Sequence, residues 1–368
     1  MIQYCHPLDH VCGIKYCVSE DYVPVEYTPS PDTFYVEEII DLEKLGYSRV
    51  DGDYILYRVL KRDTDTSSVL RILASEYNIP VQNIYYVGLK DRASTSIQYM
   101  CIRKSIARKI HDRIEAGDKI VIEKIGYTRK KLSRRHHLYN KFTVIIDGTR
   151  YRDKILSTMD KIARHGLPAY YGYQRFGTKR YNTHLIGEQI VMKRYVEAYY
   201  ELLYSIYPRE PIDCIRARIE KKFNRLYYEC RLYKSRKQSI GLDKLFRKTC
   251  RDIYRLYIQA LQSYIFNNTL NMFLRDNGLV KTSICVAGPN CIDKYVIKYF
   301  EYSPITLDQY IVFLRETGLK GYYRNTLFKP LKPCVRVENG CTKLCFYLEK
   351  GFYASIVLRE LFKQYYIV

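Results

Sequence analysis

The chain reads as a mixed α/β protein in two parts, on three observations. Residues 33–146 alternate strand-like and helix-like segments. From Gly187 to Leu274 the pattern turns mainly helical, and residues 215–256 carry 14 Lys/Arg against 4 Asp/Glu. Sheet-like segments then return near the C-terminus. At 368 residues with 47% hydrophobic content, the chain is long enough for two cores.

Taken in order, residues 33–39 alternate apolar and polar as a half-exposed strand does, and residues 54–60 form a second strand. Thr66 stands where a helix cap belongs, ahead of Val69, Leu70, Leu73 and Tyr77 at helical spacing, and Pro80 stops that helix. The run Ile84-Tyr85-Tyr86-Val87 is β-branched and aromatic, a buried strand from which Gly88 permits a sharp exit. Strands follow at 119–125 and 142–146, then a helix over 152–165 closed by Gly166. Ile253, Leu256, Tyr257, Ala260, Leu261, Tyr264 and Ile265 keep helical spacing and read as core. Residues 343–348 and 353–357 read as sheet before a short terminal helix through Arg359 and Leu361.

Charge narrows the function classes. Lys+Arg 61 against Asp+Glu 39 gives +22, spread along the chain, which implies a polyanionic partner. The sequence holds no apolar run of spanning length, no signal-peptide core and no lipidation motif, so a membrane is not the expected partner and a cytoplasmic setting is. Forty tyrosines supply stacking faces suited to unstacked bases, although most belong to packing. Twelve cysteines lack a CxxC pair or a regular framework, so reduced thiols are expected. Cys5, His6, His10, Cys12 and Cys17 crowd thirteen residues and are candidate zinc ligands. Their spacing fits no common knuckle, buried thiols and surface histidines account for them better, and no metal is expected. The basic stretch 215–256 reads either as an RNA-facing insert or as a solvated helix face.

Chemistry concentrates in a few strings. Gly88-Leu89-Lys90-Asp91-Arg92-Ala93-Ser94-Thr95-Ser96-Ile97-Gln98 sets one carboxylate between two cations at a strand end. Flanking Lys90 and Arg92 favour the ionised form, suited to a nucleophile or base; a turn-capping or surface-paired Asp is the plain alternative. The stretch from Lys130 and Lys131 through Ser133, Arg134, Arg135, His136, His137, Tyr139, Asn140 and Lys141 to Phe142 joins cations for phosphate to an amide and a ring for a base. Phe142 is also the first inward residue of its strand. Pro168-Ala169-Tyr170-Tyr171-Gly172-Tyr173-Gln174-Arg175-Phe176-Gly177 sets aromatics and one Arg between glycines, with Asn182 and His184 following.

In this order the strings resemble the TruD family of pseudouridine synthases, with its Gly-x-Lys-Asp loop, Lys-Leu-Arg…His-x-Gly-Asn-x-Phe segment and Asn-Tyr-Phe-Gly-x-Gln-Arg-Phe-Gly segment. Ser263-Tyr264-Ile265-Phe266-Asn267 is similar to its Ser-x-x-Phe-Asn helix, and Tyr353-Ala354-Ser355 through Leu358-Arg359-Glu360 to its Tyr-Ala-Thr…Leu-Arg-Glu terminus. The resemblance spans nearly the whole chain. It implies a V-shaped α+β molecule: a catalytic domain with a mixed, largely antiparallel sheet made from residues 1–177 and 319–368, and an inserted domain, 178–318, across an RNA-binding cleft. It further implies cofactor-free isomerisation of a uridine in tRNA, uridine 13 of the D-arm first, with other RNA as a broader alternative. Asp91 would be the essential carboxylate, Asn140 would bond the base or order the loop, and Phe142 would stack on the uracil. Lys90 and Arg175 would serve the substrate site; Lys130, Lys131, Arg134, Arg135 and His137 would hold RNA.

Departures from the pattern are specific. Thr28 stands where the family carries a cation that pairs with the carboxylate, so Arg175, then Lys90, is expected to substitute. Ser94, Ser96, Arg135, Tyr139 and Ala169 replace other motif positions. Two rival readings follow: an RNA-binding protein with the synthase fold and little or no activity, and a nuclease or transferase using His136 or His137.

Overall fold

The computed structural model describes residues 2–3, 6–90, 92–177, 180–207, 210–221, 227–236, 240–363 and 366. Asp91 and Cys5 lie outside the described residues.

Ten strands form the main sheet: β1 Phe34–Ile40, β2 Tyr47–Ser48, β3 Tyr54–Arg62, β4 Ile84–Tyr86, β5 Thr95–Arg103, β6 Arg113–Ala116, β7 Ile120–Thr128, β8 His137–Ile146, β9 Leu331–Glu338 and β10 Cys341–Glu349. The spatial order is β9-β10-β8-β1-β5-β3-β7-β2, with β4 added to β5 and β6 to β7. Every pairing is antiparallel except β1 with β5, which joins the two halves of the sheet in parallel. Strict alternation in β1 and in the second half of β8 turns Phe34, Val36, Phe142, Val144 and Ile146 to one face. There they pack with Leu344, Phe346 and Leu348 of β10 against the helices Arg152–His165 and Ala354–Phe362. The other half of the sheet buries Tyr57, Val59, Met100 and Ile122 under the helix Thr66–Tyr77.

Between β8 and β9 the chain is mainly helical. Helices Thr183–Val191, Tyr195–Tyr204 and Leu242–Thr249 close an apolar cluster of their own with Lys294–Phe300 and Leu307–Glu316. The 24-residue helix Tyr254–Asn277 serves both cores. Its first half contributes Tyr257, Ile258, Leu261 and Ile265 to the helical cluster, and its second half sends Phe266, Leu270, Phe273 and Leu274 into the core beneath the sheet. That shared role explains why the helix is buried on several sides and shows no single apolar stripe, its buried positions including the polar Gln262, Ser263, Asn267 and Thr269.

Several local expectations are corrected. Asp65 is the cap of the Thr66–Tyr77 helix, its carboxylate accepting from Ser68 N at 3.1 Å. Thr66 is buried one position later, where its hydroxyl accepts from Lys90 N at 3.0 Å and donates to Gln98 Oε1 at 3.2 Å. Gly88 has open space at its Cβ position and no left-handed backbone, so nothing in the structure explains a glycine there. Residues 354–357 are helix, not sheet: Ala354 opens the terminal helix, and nearly every residue of it is buried, which erases the alternation a surface element would show. Strand β8 begins five residues earlier than the apolar run suggests, at His137, so the polar residues His137 and Asn140 lie on sheet rather than loop. Cys285 and Cys291 form a disulfide, against the expectation of thiols throughout, because the turn after the strand Ser283–Val286 brings their Cα atoms to 5.5 Å. His6 caps the helix Pro7–Val11, His10 is exposed, and Cys12 and Cys17 are buried. Among the described residues no group of three potential ligands comes together.

Candidate active-site cleft

A cleft of about 730 Å³ opens where β8 begins. Arg134, His137, Tyr139, Arg175, Tyr322 and Arg324 line it together with residues 349–353, so the site draws on β8, on the end of β10 and on the strand Tyr322–Asn325.

Behind this opening lies a polar cluster around the otherwise apolar inward face of β1. Glu38 occupies the third inward position of β1 and is fully buried. Lys90 Nζ donates to its Oε1 at 2.7 Å, and Tyr99 N donates to its Oε2 at 3.2 Å. Asn140 sits opposite Glu38 in the ladder between β1 and β8. Its Oδ1 lies 3.2 Å from His137 Nε2, which is also 3.0 Å from the carbonyl of Tyr139; an imidazole protonated at Nε2 satisfies both acceptors. Burial, aided by the positive charge of Lys90, holds the His137 pKa below its ordinary value against the upward pull of Glu38. His137 is therefore a neutral donor near pH 7 rather than a phosphate-binding cation.

The cations that flank Asp91 in sequence are both engaged by other carboxylates. Lys90 is committed to Glu38, and its backbone N–H is held by Thr66. Arg92 pairs at the surface with Asp63, 3.2 Å away. Thr28 is exposed.

The other motif strings meet on the helix Tyr254–Asn277. Arg175 Nε donates to Ser263 Oγ at 2.9 Å, which fixes the guanidinium at the cleft wall. One turn on, Asn267 accepts from Tyr171 N at 2.8 Å and donates to Tyr171 O at 3.2 Å and to Cys12 O at 2.8 Å. A Cβ on Gly172 would stand 2.3 Å from Ser355 Oγ, so the loop can pass the terminal helix only as glycine. Ser355 in turn donates to Gln174 at 3.0 Å. The terminal string is architectural: buried Arg359 donates to Asp9 at 2.8 Å, and Glu360 accepts from Val18 N and Ser19 N, tying the N-terminal segment to the last helix.

The expectation that Phe142 presents a free ring face is corrected. It is 7% exposed, stacked on Phe346 at 5.4 Å and tilted against Phe34 at 5.9 Å, so its faces are occupied from both neighbouring strands. Lys130, Lys131, Arg134 and Arg135 stand exposed on the connection between β7 and β8, which Leu132 anchors by burial and a bond from its N–H to Cys101 Sγ. Of the four, Arg134 lines the cleft. Sequence reasoning missed Glu38, Tyr322 and Arg324. Glu38 was detectable as a charge on the inward face of an alternating strand; the Tyr322–Asn325 strand, mostly exposed, gives no such signal.

The family model TruD, tRNA pseudouridine synthase D, matches residues 14–294. A protein of Sulfurisphaera tokodaii named probable tRNA pseudouridine synthase D is 28% identical, the match covering 94% of this chain and 96% of its own. The tRNA pseudouridine synthase D of Aquifex aeolicus is 26% identical over 90% of this chain and 96% of its own. In fold, the chain resembles the crystal structure of a TruD-type protein from Methanosarcina mazei, with a TM-score of 0.68 at 22% identity, covering 97% of this chain and 98% of that one. The chain belongs to the tRNA pseudouridine synthase D family and is a pseudouridine synthase, an isomerase of RNA uridine.

Proposed function

We propose that this enzyme isomerises a uridine of tRNA, uridine 13 first, with Asp91 as its essential carboxylate, and that residues 178–318 form an inserted domain facing a catalytic domain of 1–177 and 319–368. The observation that carries the reading is convergence: His137 and Arg175, from two separate motif strings, line one cationic cleft, Asn140 is bonded to His137, and Lys90, from a third string, pairs with Glu38, which faces Asn140 in the ladder. The reaction breaks the N1–C1′ bond, turns the uracil and rejoins it through C5, so no atom is gained or lost and no redox partner is required.

Within that reaction the chain's own groups divide the work. Glu38 and Thr66 hold Lys90, the residue next to Asp91, at its side chain and its backbone. Neutral His137 orients the Asn140 amide, leaving the amide N–H groups to bond a uracil carbonyl. Phe142 supports this corner from the core. Arg175 supplies positive charge at the cleft wall, favouring both an RNA phosphate and an ionised carboxylate. The exposed cations Lys130, Lys131, Arg134 and Arg135 extend the positive surface along the approach. Incubation of the purified protein with unmodified tRNA, without additive, followed by mapping of pseudouridine, tests the reading; wild type should convert one position and Asp91→Asn none.

A further inference from the structure

We infer that the strand Tyr322–Asn325 forms a second nucleotide subsite, in which Arg324 binds a backbone phosphate and Tyr323 stacks on the unpaired base beside the target uridine. The inference rests on the activity proposed above and adds residues that no motif string contains.

Arg324 is held in place for an anion. Its guanidinium lies 4.2 Å from the Tyr171 ring centroid and 5.2 Å from that of Phe352, while Nε donates to Ala169 O at 3.0 Å. The group is therefore held flat, with its rotamer entropy already lost, and Nη2 is buried without an acceptor among the described residues. A cleft-lining guanidinium so fixed presents its charge to a phosphate at a set position. Among the described residues no carboxylate pairs with it, unlike Lys90.

Two large aromatics stand out of the same strand. Tyr323 is 69% exposed and Tyr322 50%, both lining the cleft with Arg324. Tyr322 is tethered through its hydroxyl to that of Tyr171 at 2.5 Å, which leaves Tyr323 as the free ring. Exposed aromatics beside cations in a groove are the common equipment for single-stranded RNA, because every base offers a π-face. The net charge of +22 and Arg134, which lines the same cleft, supply the complementarity. A uridine can be extruded only if its neighbours are also held, so a clamp on the adjacent nucleotide would act on substrate positioning.

The test uses the full-length protein and tRNA carrying 2-aminopurine on either side of the uridine that wild type converts, with pseudouridine formation measured in the same reactions. Wild type should quench the probe on one side. Tyr323→Ala should abolish the quenching and raise KM about tenfold or more, and Tyr323→Trp should restore both. Arg324→Gln should weaken binding and lower the slope of log Kd against log salt by about 0.7–0.9, with Arg324→Lys an incomplete substitute. Tyr323 is exposed, so its variants keep the fold, and matching thermal midpoints would verify this. If wild type converts uridine while quenching, KM and salt slope are the same in these variants, the subsite is wrong and the activity reading stands. If wild type converts no uridine, the activity reading fails and the subsite falls with it.

Discussion

Lys90 Nζ and Glu38 Oε1 lie 2.7 Å apart with their side chains 9% and 1% exposed, an ion pair set into the otherwise apolar inward face of β1. The pair joins the centre of β1 to the residue before Asp91. Buried pairs are costly to break from one side, because the remaining charge is left unpaired.

Glu38→Gln or Lys90→Met alone should therefore lower stability by about 3–5 kcal/mol. The double variant Glu38→Gln/Lys90→Met should recover much of the loss. Urea unfolding of the four proteins checks this; additive losses would mean that the pair does not act as a unit.

Phe142→Ala should cost about 3–5 kcal/mol, the range for an aromatic removed from a packed core. Phe142→Leu, which keeps most of the volume, should hold both the fold and turnover. Loss of turnover at unchanged stability in Phe142→Leu would instead show that the aromatic ring meets substrate.

Asn267 binds both backbone groups of Tyr171 and the carbonyl of Cys12. Asn267→Leu leaves three buried polar groups unmatched, each worth about 1–3 kcal/mol. Since Arg175 follows four residues after Tyr171, the variant should also raise KM for tRNA. A KM equal to wild type would show that the loop is held without this clamp.

His184 gives the clearest pH dependence. It is 2% exposed and stacked on Tyr264 at 4.4 Å, and burial pushes its pKa down to about 3 from the ordinary 6.5. Between those values the unfolded chain binds the proton and the folded chain does not, so stability is full above about pH 6.5 and falls as pH drops. The slope is about 1.4 kcal/mol per pH unit. His184→Phe should flatten this acid limb between pH 6 and 4. An unchanged limb would assign the acid sensitivity to other groups.

Much of this fold can be read from the residues themselves. Alternation in β1 and β8, the left-handed Gly166 after the helix ending at His165, and the helical spacing from Tyr257 to Ile265 all survive in the structure, because each is a local signal enforced by a nearby core. The failures are those where a distant partner overrides the local one. Thr66 looks like a cap, yet its hydroxyl is claimed by Lys90, in the loop after β4, and by Gln98 of β5. Residues 354–357 look like sheet because the terminal helix is buried all round. Phe142 follows Asn140 in a motif that suggests base stacking, but Phe346 arrives from a strand two hundred residues later. At the cleft, His137 and Arg175 come from two separate strings, with Asn140 bonded to His137, whereas Glu38 and Arg324 belong to no string and emerge only from the packing.

The most direct measurement compares wild type with Asp91→Asn on unmodified tRNA, scoring pseudouridine and binding in parallel. Phosphate contacts dominate affinity and the carboxylate takes part only in bond breaking, so the variant should bind within a few-fold of wild type and lose several decades of rate. Wild type that binds tRNA but leaves every uridine unchanged, or Asp91→Asn that converts within about tenfold of wild type, would contradict the account.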